Sequence, residues 1–539
     1  MTRTETSSPS ASLDQQAPVP SGWVSTADHK RLGTLFLVGA FAFLIVGGVV
    51  GGVLRAELLS EGAQVDLAYG RVFSLHATVS ALLFLGPAWV GVATWVVPLQ
   101  IGATRLAFPR LHAFALWLFL LGGALLLAAH AVGTPLADLS ASTPEASPEG
   151  GAGTATDVAV MGMVLVAASM ILASMSLAVT VLKLRTVGLT LRRAPLFTWA
   201  VLITSLATLL STPVFLAGLV LLWLDRHFGG QLLAAGAAAK GVWRHTLWLF
   251  GRPEAYLALL PGLGAACDIV ATHARRRLFG SDTARGAMVA FAALAFTAWA
   301  AGGEVIDALV LPTYTPLTAL VALPVAVVAL VWLRTAVQSR PRPHVSVLFV
   351  AAFLALAGAG AVHVLAAALA EVRGQAWTTG HLHTVAFGAP TMLLFAAVYH
   401  WAPKILGCHL SPKLGAACFL ALFGGFFLLG LGSYLLGYDG APAHVRDYPV
   451  TASGPTFSAV AAVGTALVLL GALAFVLDVA KAALFRRGEE AGADPYEGLT
   501  LEWATPSPPP PQNFEQLPEV RSDQPLLDLR TAAGSGRRG

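Results

Sequence analysis

The chain alternates long apolar runs with short polar segments. A run of about 20 predominantly apolar residues can cross the hydrocarbon core of a bilayer as an α-helix. Scanning for such runs predicts about twelve membrane helices. Their approximate ranges are 33–54, 72–98, 113–133, 157–183, 197–224, 243–270, 286–310, 314–338, 345–370, 380–403, 414–436 and 455–484. The pattern therefore predicts an all-α integral membrane protein, folded as one large helical bundle.

Polar segments flank the apolar part and divide the chain into three regions. Residues 1–30 are rich in Ser, Pro and Thr, residues 31–485 form the predicted membrane domain, and residues 486–539 form a Pro-rich tail. The first region lacks the basic and apolar parts of a cleavable signal peptide, so the first helix is expected to target the chain. Four consecutive prolines in the tail favour an extended polyproline segment on the cytoplasmic face. A solvated tail is the alternative.

The charges of the loops predict how the chain is oriented. Basic residues follow the second, fourth, sixth, eighth and tenth predicted helices, whereas the loop after the third helix is acidic. The basic residues are Arg105, Arg110, Lys183, Arg185, Arg192, Arg193, Arg275, Arg276, Arg277, Arg334, Arg340, Arg342, Lys404 and Lys413. Because cytoplasmic loops carry the excess of Lys and Arg, both termini are expected in the cytoplasm. The chain is thus predicted to be a multi-pass protein of the cell (inner) membrane.

Composition narrows the possible partners. Charged residues make up 12% of the chain, about half of what a soluble domain carries. The hydrophobic fraction is 56% and the mean hydropathy is +0.71, so the lipid bilayer is the expected environment. No basic stripe with interleaved aromatic residues occurs, which argues against nucleic-acid binding. Cys267, Cys408 and Cys418 lack zinc or redox spacing and are interpreted as small core residues.

Three histidines are candidate metal ligands. His76 lies in the second predicted helix, and His381 and His383 lie in the tenth, in TTGHLHTVAFG. An ionisable side chain inside a membrane helix is costly and suggests a functional site, although an isolated histidine can also be a satisfied bundle contact. Residues i and i+2 of a helix point about 200° apart, so His381 and His383 would serve different cofactors. Haem iron accepts an imidazole as an axial ligand. His76 and one histidine of the pair could clamp one haem, and the other histidine could hold a second haem with an open face.

A second unusual stretch is LWLFGRPEAYLALLPG, residues 247–262. It has the hydropathy of a membrane helix, yet it contains Arg252, Glu254 and Tyr256. Charged groups within such a segment are expected to face a cavity, a partner or the membrane surface rather than lipid tails.

The ordered set of motifs along the chain resembles subunit I of A-type haem-copper oxidases, the cytochrome c oxidase subunit I family. The resemblance covers roughly residues 22 to 520. The motifs are STADHKRLGTLFL (25–37), RAELLSEG (55–62), VPLQIGATRLAFPRL (97–111), LWLFGRPEAYLALLPGLG (247–264), GHLHTVAFG (380–388) and TLEWATPSPPPPQNF (500–514).

The resemblance implies roles for residues in both predicted haem sites. His76 and His383 match the axial ligands of the low-spin haem, and His381 matches the proximal ligand of the high-spin haem. Arg55 matches the arginine that hydrogen-bonds the formyl group of haem A, which favours haem A at the low-spin site. A snorkelling side chain is the alternative for Arg55.

The resemblance also implies a proton and electron apparatus near the oxygen site. Trp248 matches a tryptophan beside that site, with a core aromatic as the simpler interpretation. Glu254 matches a carboxylate that relays protons, and Tyr256 matches the tyrosine that supplies an electron and a proton to oxygen. Subunits resembling subunits II and III and a cytochrome c-type electron donor are the implied partners.

The copper ligands of the family are replaced in this chain. Arg252 stands where the family has the first copper-binding histidine, and Ala301 and Gly302 stand where it has a His-His pair. No histidine occurs between His273 and His344. A guanidinium stays protonated and has no lone pair to offer a metal, so copper is predicted to be absent. The resemblance implies that Arg252 points into the distal pocket above the high-spin haem, with snorkelling to the outer surface as the alternative.

The proton routes and the haem propionate site are altered as well. No Lys or Arg lies between Arg285 and Arg334, so the family's lysine of one channel has no counterpart. Arg105 occupies the position of the aspartate at the mouth of the other channel. The arginine pair that binds haem propionates is replaced by Ala443 and His444, and Arg446 is expected to substitute in part.

Three functions are compatible with these residues. The favoured one is a haem-bearing subunit of a respiratory electron-transport complex in which four-electron oxygen reduction and proton pumping are doubtful. The second is an active terminal cytochrome c oxidase with an unusual second centre, which retention of Glu254 and Tyr256 favours. The third is a non-catalytic assembly or gas-sensing paralogue. Haem and copper content distinguishes the three.

Overall fold

The computed structural model describes residues 22–59, 69–133, 135, 153–228, 258–300, 320–369, 376–442, 451–485 and 488–535. In these residues the protein consists of α-helices, one π-helix and short 3-10 turns. Extended pairing in the same part of the chain is limited to an isolated bridge between Cys408 and Glu490.

The described residues contain fifteen α-helices. They are α1 (His29–Glu57), α2 (Tyr69–Leu82), α3 (Leu85–Gln100), α4 (Pro109–Val132), α5 (Gly153–Lys183), α6 (Leu196–Phe228), α7 (Leu260–Ala274), α8 (Ser281–Ala300), α9 (Ala322–Ser339), α10 (Val345–Leu369), α11 (Ala376–His381), α12 (Ala389–Leu406), α13 (Pro412–Tyr438), α14 (Gly454–Phe485) and α15 (Pro525–Ser535). The π-helix, Leu382–Gly388, joins α11 to α12.

This arrangement confirms the predicted all-α membrane architecture. Within the described residues, 10 helical spans are long and apolar enough to cross a membrane, with Tyr69–Gln100 and Ala376–Leu406 each counted as one span. The predicted helices 243–270 and 286–310 are represented by α7 and α8 only in part, because their remaining residues lie outside the described ranges.

Helix ends follow local chemistry. The Asp28 carboxylate accepts the Lys30 amide at 3.0 Å and caps α1, and the Ser411 hydroxyl accepts the Leu414 amide at 3.4 Å and caps α13. Both side chains satisfy a backbone N–H that has no partner within the first helical turn. Gly407 ends α12 in a left-handed conformation with φ +76°, which a residue with a side chain rarely adopts.

Pairs of glycines set the closest contacts between helices. A methyl group on Gly122 of α4 would lie 2.8 Å from the Gly162 carbonyl oxygen of α5. One on Gly464 of α14 would lie 2.2 Å from the Leu429 amide nitrogen of α13 and 2.7 Å from the Gly425 carbonyl oxygen. Without a hydrophobic driving force between helices in lipid, such small residues permit the backbone contact that holds the bundle together.

The second predicted helix, 72–98, differs from the prediction because it is broken at Leu83 and Phe84. Pro87 lies four residues after Leu83 and has no N–H to donate to the Leu83 carbonyl. Its ring also crowds that carbonyl, so a continuous α-helix is disfavoured at this point. α2, which carries His76, is therefore separate from α3, whose residues are buried except for the partly exposed Gly86.

The tenth predicted helix also departs from simple α-geometry. Its α-helical part ends at His381, and the chain runs as a π-helix over the next seven residues before α12 begins. Pro390, near the start of α12, cannot donate to the carbonyl four residues earlier, which removes one α-helical hydrogen bond here. Single-turn π segments inside α-helices occur frequently at functional sites.

Residues 488–535 pack on one end of the bundle. The ammonium group of Lys404, which is fully buried, donates to the carbonyls of Ala493 at 2.7 Å and Thr505 at 2.6 Å. The Asn513 amide donates to the Ala103 carbonyl at 2.8 Å and also contacts the His29 ring at 2.9 Å. The tail therefore lies at the end of the bundle where α1 begins. Its cytoplasmic orientation and the three-region division of the chain remain predictions.

Candidate functional site

His76 of α2 and His383 of the π-helix face each other. Their ring centroids are 6.1 Å apart and their planes are inclined by 14°. The two residues are 307 positions apart in sequence, by the difference of their numbers. The bundle therefore brings together two of the three histidines that the sequence predicted as haem ligands.

Backbone carbonyls hold both rings in place. The Nδ1 atom of His76 is 2.9 Å from the Gly47 carbonyl oxygen, and that of His383 is 2.8 Å from the Thr379 carbonyl oxygen. A carbonyl oxygen can only accept, so Nδ1 carries the proton in each neutral ring and Nε2 carries the lone pair. A hydrogen bond from the other ring nitrogen is the usual way in which a metal-binding histidine is oriented.

Gly51 allows α1 to approach the His76 ring closely. A methyl group at this position would lie 2.9 Å from Cε1 and 3.1 Å from Nδ1 of His76. The next glycine, Gly52, has nothing within 4 Å of such a methyl group. Of these two consecutive glycines, only Gly51 is needed to leave space for the His76 ring.

The separation of the two rings suits a shared metal ion. An imidazole nitrogen lies about 1 Å from its ring centre and a metal–imidazole bond is about 2 Å long, so two axial imidazoles put their centroids about 6 Å apart. The observed 6.1 Å between His76 and His383 has this value. Together with the tautomers fixed at Nδ1, the residues present fit a haem iron bound through both Nε2 atoms.

His381 contacts a different set of residues. Its ring stacks on Trp377 with a centroid distance of 5.3 Å and an angle of 8°. Its Nδ1 atom is 3.5 Å from the hydroxyl oxygen of Tyr434 on α13. His381 and His383 thus have different neighbours although only one residue separates them, which agrees with the expectation of separate sites.

Arg55 lies at the C-terminal end of α1 and reaches α13. Its guanidinium donates to the Ser433 hydroxyl at 3.1 Å. This contact links the ends of α1 and α13, and the role of Arg55 stays a prediction. Ser433 directly precedes Tyr434, so adjacent residues of α13 contact Arg55 and His381.

A cavity of about 230 Å³ adjoins the π-helix. Most of its lining is apolar, and Leu382, Ala386 and Phe387 contribute the π-helix wall. Its polar lining includes the Thr204 hydroxyl and the Trp89 indole nitrogen, which are buried and have no hydrogen-bond partner among the described residues. This cavity lies beside the histidine-bearing segment rather than between His76 and His383. Its walls suit a small, weakly polar molecule.

Several predicted residues lie outside the described ranges. They are Trp248, Arg252, Glu254, Tyr256, Ala301, Gly302 and Arg446. Conversely, Tyr434, Ser433 and Gly51 could not be identified from the sequence, because each contacts a residue of another helix. Only Trp377 had a local signal, since it precedes His381 by four residues and shares its helix face.

Comparison with known proteins establishes the family of the chain. The family described as cytochrome C and quinol oxidase polypeptide I matches residues 31–474. The chain belongs to this family. A cytochrome c oxidase subunit 1-beta homologue of Streptomyces avermitilis is 35% identical over 523 residues, which cover 95% of this chain and 93% of that protein.

More distant relatives agree with this family. Cytochrome c oxidase subunit 1 of Corynebacterium efficiens is 31% identical over 534 residues, covering 95% of this chain and 92% of that protein. A chain of a haem-copper terminal oxidase dimer solved by cryo-electron microscopy superposes with a TM-score of 0.66, and 95% of this chain and 90% of that chain are covered. At 16% identity this structure supports the fold alone.

Membership of the cytochrome c and quinol oxidase family confirms the resemblance and the fold predicted from the motifs. The chain is a multi-pass protein of the bacterial plasma membrane, like the subunits of its family. The family carries haems and works with other oxidase subunits in a membrane complex.

Proposed function

We propose that this chain is the haem-carrying subunit of a respiratory electron-transport complex and holds two haems. His76 and His383 would bind a low-spin haem, and His381 would bind a high-spin haem that keeps one face open. The observation that carries the proposal is the 6.1 Å separation of the His76 and His383 rings, with both Nδ1 atoms bonded to carbonyl oxygens. A six-coordinate haem supplies one-electron transfer without binding a substrate.

The chain's own residues would orient and tune these haems. Gly47 and Thr379 fix the tautomers of the two low-spin ligands through their carbonyls. Arg55, which donates to the Ser433 hydroxyl, is assigned to the formyl group of the low-spin haem by its place in the sequence, and this favours haem A there. Arg446 is assigned to a haem propionate by its place in the sequence.

We infer that the copper centre is absent and that oxidase turnover is weak or lost. The support comes from sequence: Arg252, Ala301 and Gly302 replace the three copper-binding histidines, and none of these side chains can ligate copper. Rapid reduction of oxygen to water needs several electrons at one place, and the copper normally supplies one of them. With copper and the usual proton inlets missing, proton pumping is not expected, and retained Glu254 and Tyr256 would have lost their usual partners.

The test is haem and copper quantification on the purified chain, with reduced-minus-oxidised and CO-difference spectra. Two haems and less than about 0.1 copper per chain are expected, with CO binding to one haem. The His383→Ala variant should lose the low-spin spectrum, and His381→Ala should lose the CO-binding spectrum. His227→Ala, which changes an exposed histidine of α6, is the control. Cyanide-sensitive oxygen consumption by the copper-free protein would refute the proposal.

The second candidate is an active cytochrome c oxidase with an unusual second centre. It is favoured by identities of 31–35% to cytochrome c oxidase subunits 1 along most of the chain. One tightly held copper per chain, together with oxygen turnover, would establish this candidate. A chain purified without any haem would instead indicate an assembly paralogue.

The proposed partners are those that the resemblance to the family implies. Subunits resembling subunits II and III and a cytochrome c-type donor are expected, because electrons must reach a haem buried in the bundle. Both termini are proposed to lie in the cytoplasm, on the basis of the basic loops.

A further inference from the structure

Two carboxyl groups at the end of the bundle on which residues 488–535 pack are bridged by one amide group. The Gln100 amide nitrogen donates to the Asp268 carboxylate at 3.0 Å and to the Glu502 carboxylate at 3.1 Å. The Gln100 amide oxygen accepts the Thr198 hydroxyl at 2.8 Å. The two bridged carboxylate oxygens therefore lie at most about 6 Å apart. Two negative charges at this distance inside a protein repel each other, which favours one proton on the pair.

The two carboxyl groups differ in their surroundings. Asp268 accepts the backbone amides of Leu196 and Phe197, each at 3.3 Å, and these amides begin α6. The N-terminus of a helix stabilises a negative charge. Glu502 is 1% exposed, its Oε2 atom has no hydrogen-bond partner among the described residues, and burial raises its pKa above the ordinary 4.5. Asp268 is therefore favoured as the carboxylate and Glu502 as the protonated acid.

Other ionisable groups face the pair from neighbouring elements. On the side of Glu502, the ammonium group of Lys404 attracts the carboxylate, but it donates to backbone carbonyls of the tail. On the other side, Arg285 of α8, Asp523 of the tail and Cys267 of α7 line a small cavity. Arg285 is paired with an aspartate of its own helix, and Asp523 adds a further negative charge. Within the described part of the chain, a proton rather than a salt bridge therefore relieves the repulsion in the pair.

The cavity beside Asp268 connects the pair to water. Its volume of about 20 Å³ is enough for one water molecule. Gln524 and Arg285 line it, and the Gln524 Oε1 and Arg285 Nε atoms are buried with no hydrogen-bond partner among the described residues. A water molecule there can accept from Arg285 and donate to Gln524 and Asp268. Asp268 and Ser281 are partly exposed and also line the cavity, so it extends towards the surface.

We propose that Asp268, Gln100 and Glu502 form a proton-binding site that exchanges its proton with solvent through this cavity. The ligand is a proton carried by water, and at neutral pH the site holds one proton for its two carboxyl groups. Thr500 connects the cavity to Glu502, because it lines the cavity and its hydroxyl is close to the carboxyl group. Ionisable groups buried in membrane proteins commonly serve as proton relays. The site contains no haem ligand, so the inference goes beyond the proposed function.

Infrared spectroscopy of the purified full chain tests the protonation of Glu502. A protonated carboxyl group has a C=O stretching band that a carboxylate lacks. The difference spectrum between the wild-type chain and Glu502→Gln should contain this band at neutral pH. Glu519→Gln is the matched control, because it changes an exposed carboxylate of the same tail, and it should leave the band unchanged. A band that is equally strong in the wild-type chain and in Glu502→Gln would overturn the proposal.

Asp268→Asn tests whether the two carboxyl groups form one site. It removes the neighbouring negative charge, so Glu502 should lose its proton at lower pH. The midpoint at which the Glu502 band disappears on raising the pH should fall by about one to two pH units. Glu519→Gln should leave this midpoint unchanged. The same midpoint in Asp268→Asn and in the wild-type chain would show that the groups titrate separately, and the proposal would be wrong.

Thr500→Val tests the connection to solvent, because it removes the hydroxyl and keeps the shape of the side chain. After transfer to D2O, the isotope shift of the Glu502 band should develop more slowly than in the wild-type chain. Thr531→Val, which changes an exposed threonine of α15, is the control. Equal exchange in Thr500→Val and the control would refute exchange through the cavity. If Glu502→Gln does not accumulate in membranes, Asp268→Asn and Thr500→Val decide, because a band that responds to neither belongs to another carboxyl group.

Discussion

At the scale of single residues, the proposed low-spin site depends on atoms that carry no obvious chemistry in the sequence. Gly47 supplies a carbonyl oxygen and Gly51 supplies empty space, and both act on His76 from α1. The histidines could be predicted because an imidazole inside a membrane helix is unusual. Their supports could not, because a glycine in a membrane helix is common and its partner lies on another helix.

Gly51→Ala should impair the low-spin site, whereas Gly52→Ala should not. The added methyl group at position 51 would meet the His76 ring at 2.9 Å, but at position 52 it meets nothing within 4 Å. Overpacking of this kind costs about 1–3 kcal/mol, so low-spin haem retention should weaken about five- to hundredfold. The reduced-minus-oxidised spectrum of membranes from the two variants measures this. Equal low-spin haem in both variants would contradict the close approach of α1.

At the scale of elements, most helices could be predicted and their irregularities could not. Predicted and observed ends of the described spans mostly agree to within a few residues, since the length of the apolar run sets them approximately and local caps set the final residue. The break at Leu83 and the π-helix after His381 had proline signals at Pro87 and Pro390. Membrane helices also tolerate proline, so these signals did not identify a break before the packing was known.

The tail segment 488–535 inserts Tyr496 into a cluster of histidines. The Tyr496 ring lies between 5.1 and 6.1 Å, centroid to centroid, from His273, His344, His400 and His409. The His344 ring also contacts the Tyr496 hydroxyl at 3.2 Å and the Ser346 hydroxyl at 2.7 Å. The charged neighbours form ion pairs of their own: Glu497 binds Arg275 at 2.9 Å and lies 3.9 Å from Arg342.

Docking of this tail should weaken in acid. Burial, with a smaller effect of His409, lowers the pKa of His344 from its ordinary 6.5 to about 4. The state with the tail undocked therefore binds more protons between these values, so docking is fully stable above pH 6.5 and is lost as the pH falls towards 4. Between pH 7 and 5 the undocked fraction should rise about twentyfold.

Hydrogen–deuterium exchange of residues 488–510, corrected for intrinsic rates, measures this opening. His344→Gln should flatten the pH dependence because the titrating group is gone, whereas His227→Gln should leave it unchanged. A pH dependence that persists in His344→Gln would assign the effect to another group.

At the scale of the whole molecule, the bundle retains the family architecture. The residues at the positions of the family's copper ligands are different in this chain. Glycine contacts between α4 and α5 and between α13 and α14 hold the helices together independently of any cofactor. The family fold can therefore persist after ligands are replaced. Fold and family were accessible from sequence because they depend on many residues. The chemistry proposed above the high-spin haem depends instead on only a few side chains, those that replace the copper ligands.

Arg252→His should not restore oxidase activity. One histidine cannot make a stable copper site while Ala301 and Gly302 offer no ligand. Oxygen consumption of the purified variant, with bound copper measured in parallel, is the assay, and the wild-type chain is the control. Restored cyanide-sensitive turnover would mean that the assignment of positions 301 and 302 is wrong.

Ser433 and Tyr434 also bear on how this chain can evolve. Because they are consecutive, inserting or deleting one residue earlier in α13 would turn both by about 100° and displace the contacts with Arg55 and His381 together. Point substitutions can alter either contact alone, but changes of length cannot. Functional descendants of this chain should therefore vary in length in the connections outside α13 and keep the register of that helix.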